Sequence, residues 1–143
     1  MRALQHNGDA FTHVGIVVSV GANDVRVAHA CPAKPAIVRI DRLSDLFAKP
    51  EITSAAVYRP RVSESERRKA AAIARQYASR NTPFDFDFDL ADDRAIYCTE
   101  LVWLCYRKTG LKATSSSNIL FPSDFLHSDF FDPVTDVNAE WCD

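Results

Sequence analysis

The chain has 143 residues, 47% of them apolar and 25% charged, and a net charge of −2. That length supports one domain with a real core, here residues 1–143, and the charge balance offers nothing to attract nucleic acid or an anionic membrane. The cysteines at 31, 98, 105 and 142 lack zinc-ligand spacing and disulfide density, no run spans a membrane, and Met1 to Asp9 has no apolar signal core. The expectation is a cytoplasmic protein with reduced thiols and no metal or cofactor.

Residues 13–20, from His13 to Val20, are rich in β-branched side chains and predict a strand. Gly21-Ala22-Asn23-Asp24 is a turn, and Val25 to Cys31 alternates as a second strand, paired with the first as a hairpin. After Pro32 and Pro35, Ala36 to Ile40 predicts a third strand. Asp41 to Phe47 reads as a short helical turn, and Ile52 to Arg59 as a fourth strand stopped near Pro60.

Ser63 and Glu66 form a capping box that opens a helix to about Arg80, with Ala70, Ile73, Ala74 and Tyr77 on one stripe. Asn81-Thr82-Pro83 ends it. Phe84 to Asp89 alternates phenylalanine and aspartate, which predicts an extended edge with phenylalanines inward and aspartates in water. The first three aspartates have the spacing of a calcium loop. Leu90 stands where such a loop needs glycine and Ile96 where it needs glutamate, so an EF-hand is excluded.

Ile96 to Tyr106 is apolar on nearly every side, and Arg107, Lys108 and Gly110 follow as a helix C-terminus. Cys98 therefore falls in the first turn of a buried helix. Unpaired N–H groups and a partial positive charge there push a thiol toward thiolate. Read alone, this stretch favours a small buried apolar residue over a nucleophile. Cys105, two turns on, is expected to be inert, while Cys31 and Cys142 are expected to be accessible. Ser115 to Asn118 is a loop, Ser123 starts a short helix, and a last strand lies around Val134 to Val137. Strands first and helices after argue an α+β fold with an antiparallel sheet.

The hairpin brings His13 and His29 close together. With a helix-N-terminal cysteine they match a nucleophile, a base and a group that orients the base. His6 and His127 sit in polar surroundings and read as surface residues.

Three pieces resemble one family. Phe11-Thr12-His13-Val14-Gly15-Ile16-Val17 resembles the histidine strand of the circularly permuted NlpC-like, papain-fold cysteine hydrolases of the YiiX and YaeF type. Ala95 to Val102 resembles that family's nucleophile helix, with its Tyr-Cys-Ser-Glu-Leu-Val pattern, and Phe121-Pro122-Ser123-Asp124-Phe125 its downstream Pro-Ser-Asp-Leu element. The histidine precedes the cysteine, which is the permuted order.

The resemblance implies a papain-like sheet or half-barrel packed against a buried cysteine-bearing helix. It implies a thiol hydrolase that cleaves an amide bond in a peptide or peptidoglycan-type substrate, with Cys98 as nucleophile and His13 as base. His29 takes the third place, where relatives often carry glutamate and the lecithin–retinol acyltransferases carry histidine. Thr12 and Tyr97 would line the cleft, with Asp85 and Asp87 as an acidic lip for a cationic group. The alternatives are acyl transfer, thioester or lipid-ester hydrolysis, and a non-catalytic module that holds a small peptide or amine.

Overall fold

The computed structural model describes residues 12–52, 55–111, 119–126 and 129–134. Strands β1 (Ile16–Val20), β2 (Val25–Ala30) and β3 (Val38–Arg42) form an antiparallel sheet in chain order. The short helix α1 (Leu43–Phe47) follows. Then come β4 (Tyr58–Pro60), the long helix α2 (Glu64–Ser79), the cysteine helix α3 (Cys98–Tyr106), α4 (Pro122–Leu126) and β5 (Phe131–Pro133). Among the described residues no helix is long and apolar enough to cross a membrane.

Alternation decides which face of the sheet is core. Ile16, Ala28, Ala30 and Val38 are buried on one side, where α2 and α3 supply Ala70, Ala74, Tyr77, Leu101 and Cys105. The small residues on α2 let the helix approach the sheet closely. Its capping box is formed as expected, with Glu66 N–H donating to Ser63 Oγ at 3.1 Å and Ser63 N–H to the Glu66 carboxylate at 3.3 Å. Between Val17 and Ser19 the β1–β2 register slips, leaving Val18 without a cross-strand partner. Arg75 of α2 donates to the Val18 carbonyl and satisfies it.

Four expectations change. The three residues 13–15 precede β1 rather than belonging to it. Strand β3 runs two residues further than Ile40, so Asp41 is a strand residue and not the start of a helical turn. Strand β4 is three residues long, includes Pro60, and pairs with β5 in a separate two-stranded sheet. The run after Pro83 is not an extended edge. Asp85 accepts from the N–H groups of Asp87 and Asp89 at 2.8 and 2.7 Å, winding the chain around its carboxylate, with Phe88 at φ 54°. Phe84 stays buried, but Phe86 turns out to 62% exposure. The predicted loop at 115–118 lies outside the described residues, as do residues 135–137 of the predicted last strand and His6, His127 and Cys142.

Candidate active site

Cys98 is the first residue of α3, and its neighbours in sequence hold it there. Glu100 reaches back so that its carboxylate accepts from Tyr97 N–H at 3.2 Å, closing the first turn. Tyr97 Oη accepts from Leu120 N–H at 3.0 Å, and Thr99 Oγ1 donates to the Leu120 carbonyl at 2.6 Å. In Tyr-Cys-Thr-Glu, three side chains thus fix the helix start and the fourth is the thiol. Tyr97 is 0% exposed, so its ring offers no surface for lining a cleft. The helix ends as predicted: a 3-10 turn over Arg107–Thr109, then Gly110 at φ 106°, a conformation only glycine adopts freely.

The histidines meet. His13 Nε2 lies 3.0 Å from His29 Nδ1, the two rings edge to face. Gly15 makes this approach possible. Continuing the register of Ile16 with Ala28 puts Gly15 opposite His29. A Cβ at 15 would lie 2.6 Å from Val27 Cγ1, 3.0 Å from the Ala28 carbonyl oxygen and 3.3 Å from His29 Cβ. The sulfur of Cys98 lies against the backbone N–H of Val14, the residue after His13, and against its own N–H and that of Thr99.

A carboxylate that sequence reasoning missed completes the row. His29 Nε2 lies 2.7 Å from Asp41 Oδ2, and Arg39 Nε donates to the same oxygen at 2.9 Å. Strand pairing explains the row: His29 sits opposite Arg39, and Asp41 follows on the same face two residues along. The alternation Arg39, Asp41 was the available signal, hidden by ending the strand at Ile40.

Electrostatics reverse one expectation. Burial pushes the Cys98 thiol up to about 11, against the pull of the Val14, Thr99 and Cys98 N–H groups. Burial likewise pushes His13 down to about 4, with the charges of His29 and Lys49 adding to it. The thiol and the imidazole are therefore both neutral at rest, and Cys98 is not the thiolate expected at a helix start. His29 is lowered too, by burial, with the hydrogen bond and charge of Asp41 opposing. Burial works against the Asp41 charge, but His29 and Arg39 hold the carboxyl below its ordinary range. Glu100, at 0% exposure, is pushed up to about 8 by burial and by Asp85, Asp89 and Asp92. Its Oε1 has no hydrogen-bond partner among the described residues.

The remaining candidates stand apart from this row. Thr12 is half-buried, Asp87 is exposed, and Asp85 is buried with both oxygens committed to its own loop. Cys31 and Cys105 are both buried, so Cys31 is not the accessible thiol expected. A groove of about 700 Å³ between β4, β5 and the start of α2 is lined by Arg59, Arg61, Arg67 and Asp132, and by none of Cys98, His13 or His29.

The family model that describes permuted papain-like amidases of the YaeF/YiiX type, the C92 family, matches residues 2–134. A crystal structure described as the metalloprotein yiiX from Escherichia coli O157:H7 superposes with a TM-score of 0.61 at 17% identity, covering 85% of this chain and 79% of that one. That likeness shows the papain-like fold. No curated protein matches the chain. Among the described residues no group of three or more His, Cys, Asp or Glu side chains is arranged to hold a metal ion.

Proposed function

Since the chain belongs to the permuted papain-like amidase family and is an amide-bond hydrolase, we propose that Cys98 is its nucleophile, His13 its base and His29 the group that orients the base. The observations that support this reading are the 3.0 Å contact of His13 with His29 and the Val14 N–H, one residue after His13, against the Cys98 thiol. In this reading the free ring nitrogen of His13 takes the thiol proton as the sulfur attacks the amide carbonyl carbon. Because the pair is neutral at rest, proton transfer accompanies attack instead of preceding it. The N–H groups of Cys98 and Thr99, unused by the first helical turn, would turn from the sulfur to the developing oxyanion. His13 then returns the proton to the leaving amine, giving an acyl-thioester, and activates the water that hydrolyses it to a carboxylate. Peptides and peptidoglycan-type stem peptides are the proposed substrates.

The test is a panel of peptide p-nitroanilides and stem peptides, quenched in acid and examined by mass spectrometry. An acyl adduct on Cys98 is expected, with no hydrolysis in Cys98→Ala. His13→Ala should lower turnover by about 10²- to 10⁴-fold, the usual worth of a general base. Hydrolysis that survives Cys98→Ala would overturn the assignment.

A further inference from the structure

We propose that Asp41 is a positioning residue of this site: it fixes which nitrogen of both histidines carries a proton, and it draws the catalytic positive charge off His13 and onto His29. The inference rests on the Cys98–His13–His29 reading and adds a residue and a proton route to it.

The argument starts at the far end of the row. A guanidinium has donors only, so Arg39 Nε requires that Asp41 Oδ2 be an acceptor. His29 Nε2, 2.7 Å from the same oxygen, must then be the donor and carry hydrogen. A neutral His29 has one N–H, which leaves Nδ1 as a bare lone pair. That lone pair faces His13 Nε2 at 3.0 Å, so His13 Nε2 must in turn carry hydrogen. His13 Nδ1 is left bare, the one form of this ring that can accept a proton from a thiol. Four hydrogen-bonding groups, on β2, β3 and the segment leading into β1, admit a single consistent arrangement, and the arrangement is set at Asp41.

The same row defines a path. When the Cys98 proton passes to His13 Nδ1, the Nε2 proton of His13 can cross to His29 Nδ1. His13 is neutral again, now protonated on Nδ1. His29 is the imidazolium, with both nitrogens protonated and Nε2–H still donated to an ionised Asp41. Nothing is transferred to the carboxylate. Arg39 and Lys49 oppose charge on His29, and the direct contact of Asp41 with that ring opposes them. Among the described residues His13 feels His29 and Lys49, both cationic or potentially so, and no carboxylate. Returning the protons by the reverse path delivers one to the leaving amine.

Two readouts test this on the full chain. The first is the long-range ¹H–¹⁵N spectrum of the imidazoles in His6→Gln/His127→Gln, where only His13 and His29 give signals. Both rings are expected as the Nε2–H form at neutral pH. In Asp41→Asn, Arg39 still demands an oxygen at that position, so both rings should keep that form. In Asp41→Leu, His29 loses its acceptor and should populate the Nδ1–H form. The second readout is acylation of Cys98 by p-nitrophenyl acetate, followed as p-nitrophenolate release and as the acetyl adduct. Asp41→Asn, correct in tautomer but lacking the charge, should acylate about tenfold slower, with Asp41→Glu recovering part of the loss. Asp41 is 31% exposed, and water screening keeps the effect below that of a fully buried orienter. A wild-type ring in the Nδ1–H form, or Asp41→Asn acylating at the wild-type rate, would overturn the inference. Should Asp41→Leu not fold, the wild-type spectrum and Asp41→Asn still decide it. Release of p-nitrophenolate by Cys98→Ala at the wild-type rate would instead overturn the nucleophile assignment, leaving the tautomer result to stand or fall separately.

Discussion

At Cys98 two local effects oppose each other, and their balance sets the chemistry. The helix start and three N–H groups favour thiolate, yet burial outweighs them and holds the thiol at about 11. At neutral pH only about one thiol in ten thousand would be ionised. Labelling by iodoacetamide, which needs no oriented base, should therefore show no plateau near pH 6 and should climb steadily from pH 8 to 11. Peptide mapping after limited labelling measures this directly; saturation below pH 7 would mean that His13 and Cys98 rest as an ion pair. The position of the cysteine in its helix was legible in the sequence because the apolar run from Ile96 and the Arg107-Lys108-Gly110 stop are local signals. Its protonation was not, because desolvation depends on what distant segments cover it. Leu120, more than twenty residues away, is one such segment.

Among the elements, the segment leading into β1 carries the tightest constraint. Gly15→Ala would drive a methyl against Val27 and the Ala28 carbonyl, and the carbonyl belongs to a paired strand that cannot swing aside. The start of the strand must lift, taking His13 off His29. We expect a cost of about 1–3 kcal/mol in stability. Acylation of Cys98 should fall at least about tenfold, the scale set by a misplacement of an ångström or less. Val27→Ala in the same chain removes the closest contact, so the double variant should regain part of the rate. Stopped-flow acylation together with thermal unfolding checks both, and a single variant with wild-type acylation would show that the approach is not needed. The β1–β2 hairpin and the α2 capping box were readable from turn and cap chemistry. The β4–β5 pairing was not, since seventy residues separate the partners and nothing in either short strand names the other. Asp41 was missed for a related reason: a two-residue error at a strand end moved it off the face that holds His29.

For the molecule as a whole, three buried groups, His13, His29 and Glu100, shape the pH range of stability. His13 binds its proton at 6.5 when unfolded and at about 4 when folded, so its contribution is full above 6.5 and is lost as pH falls toward 4. Glu100 works in the other sense. Its folded value of about 8 lies above the ordinary 4.5, so stability is full below 4.5 and is lost as pH rises toward 8. Between 4.5 and 6.5 the slopes of His13 and Glu100 oppose each other, and His29, lowered too, adds a further loss as pH falls. A melting temperature that peaks near pH 6.5 and declines on both sides is expected, and differential scanning calorimetry measures it. Glu100→Gln, which mimics the protonated acid, should leave the acid side unchanged and raise the melting temperature at pH 8 by a few degrees. An unchanged decline between 6.5 and 8 would show that Glu100 is already ionised. The row from His13 to Asp41 has a further consequence for how the protein is made. It is built from β2, β3 and the segment leading into β1, joined by short connections and all translated before residue 98. On the assignment proposed above, the proton-handling half of the site can assemble on the ribosome while the thiol has yet to emerge. The newborn chain holds an acceptor with no nucleophile, and it becomes able to acylate itself only when the cysteine helix docks as one of the later events of folding.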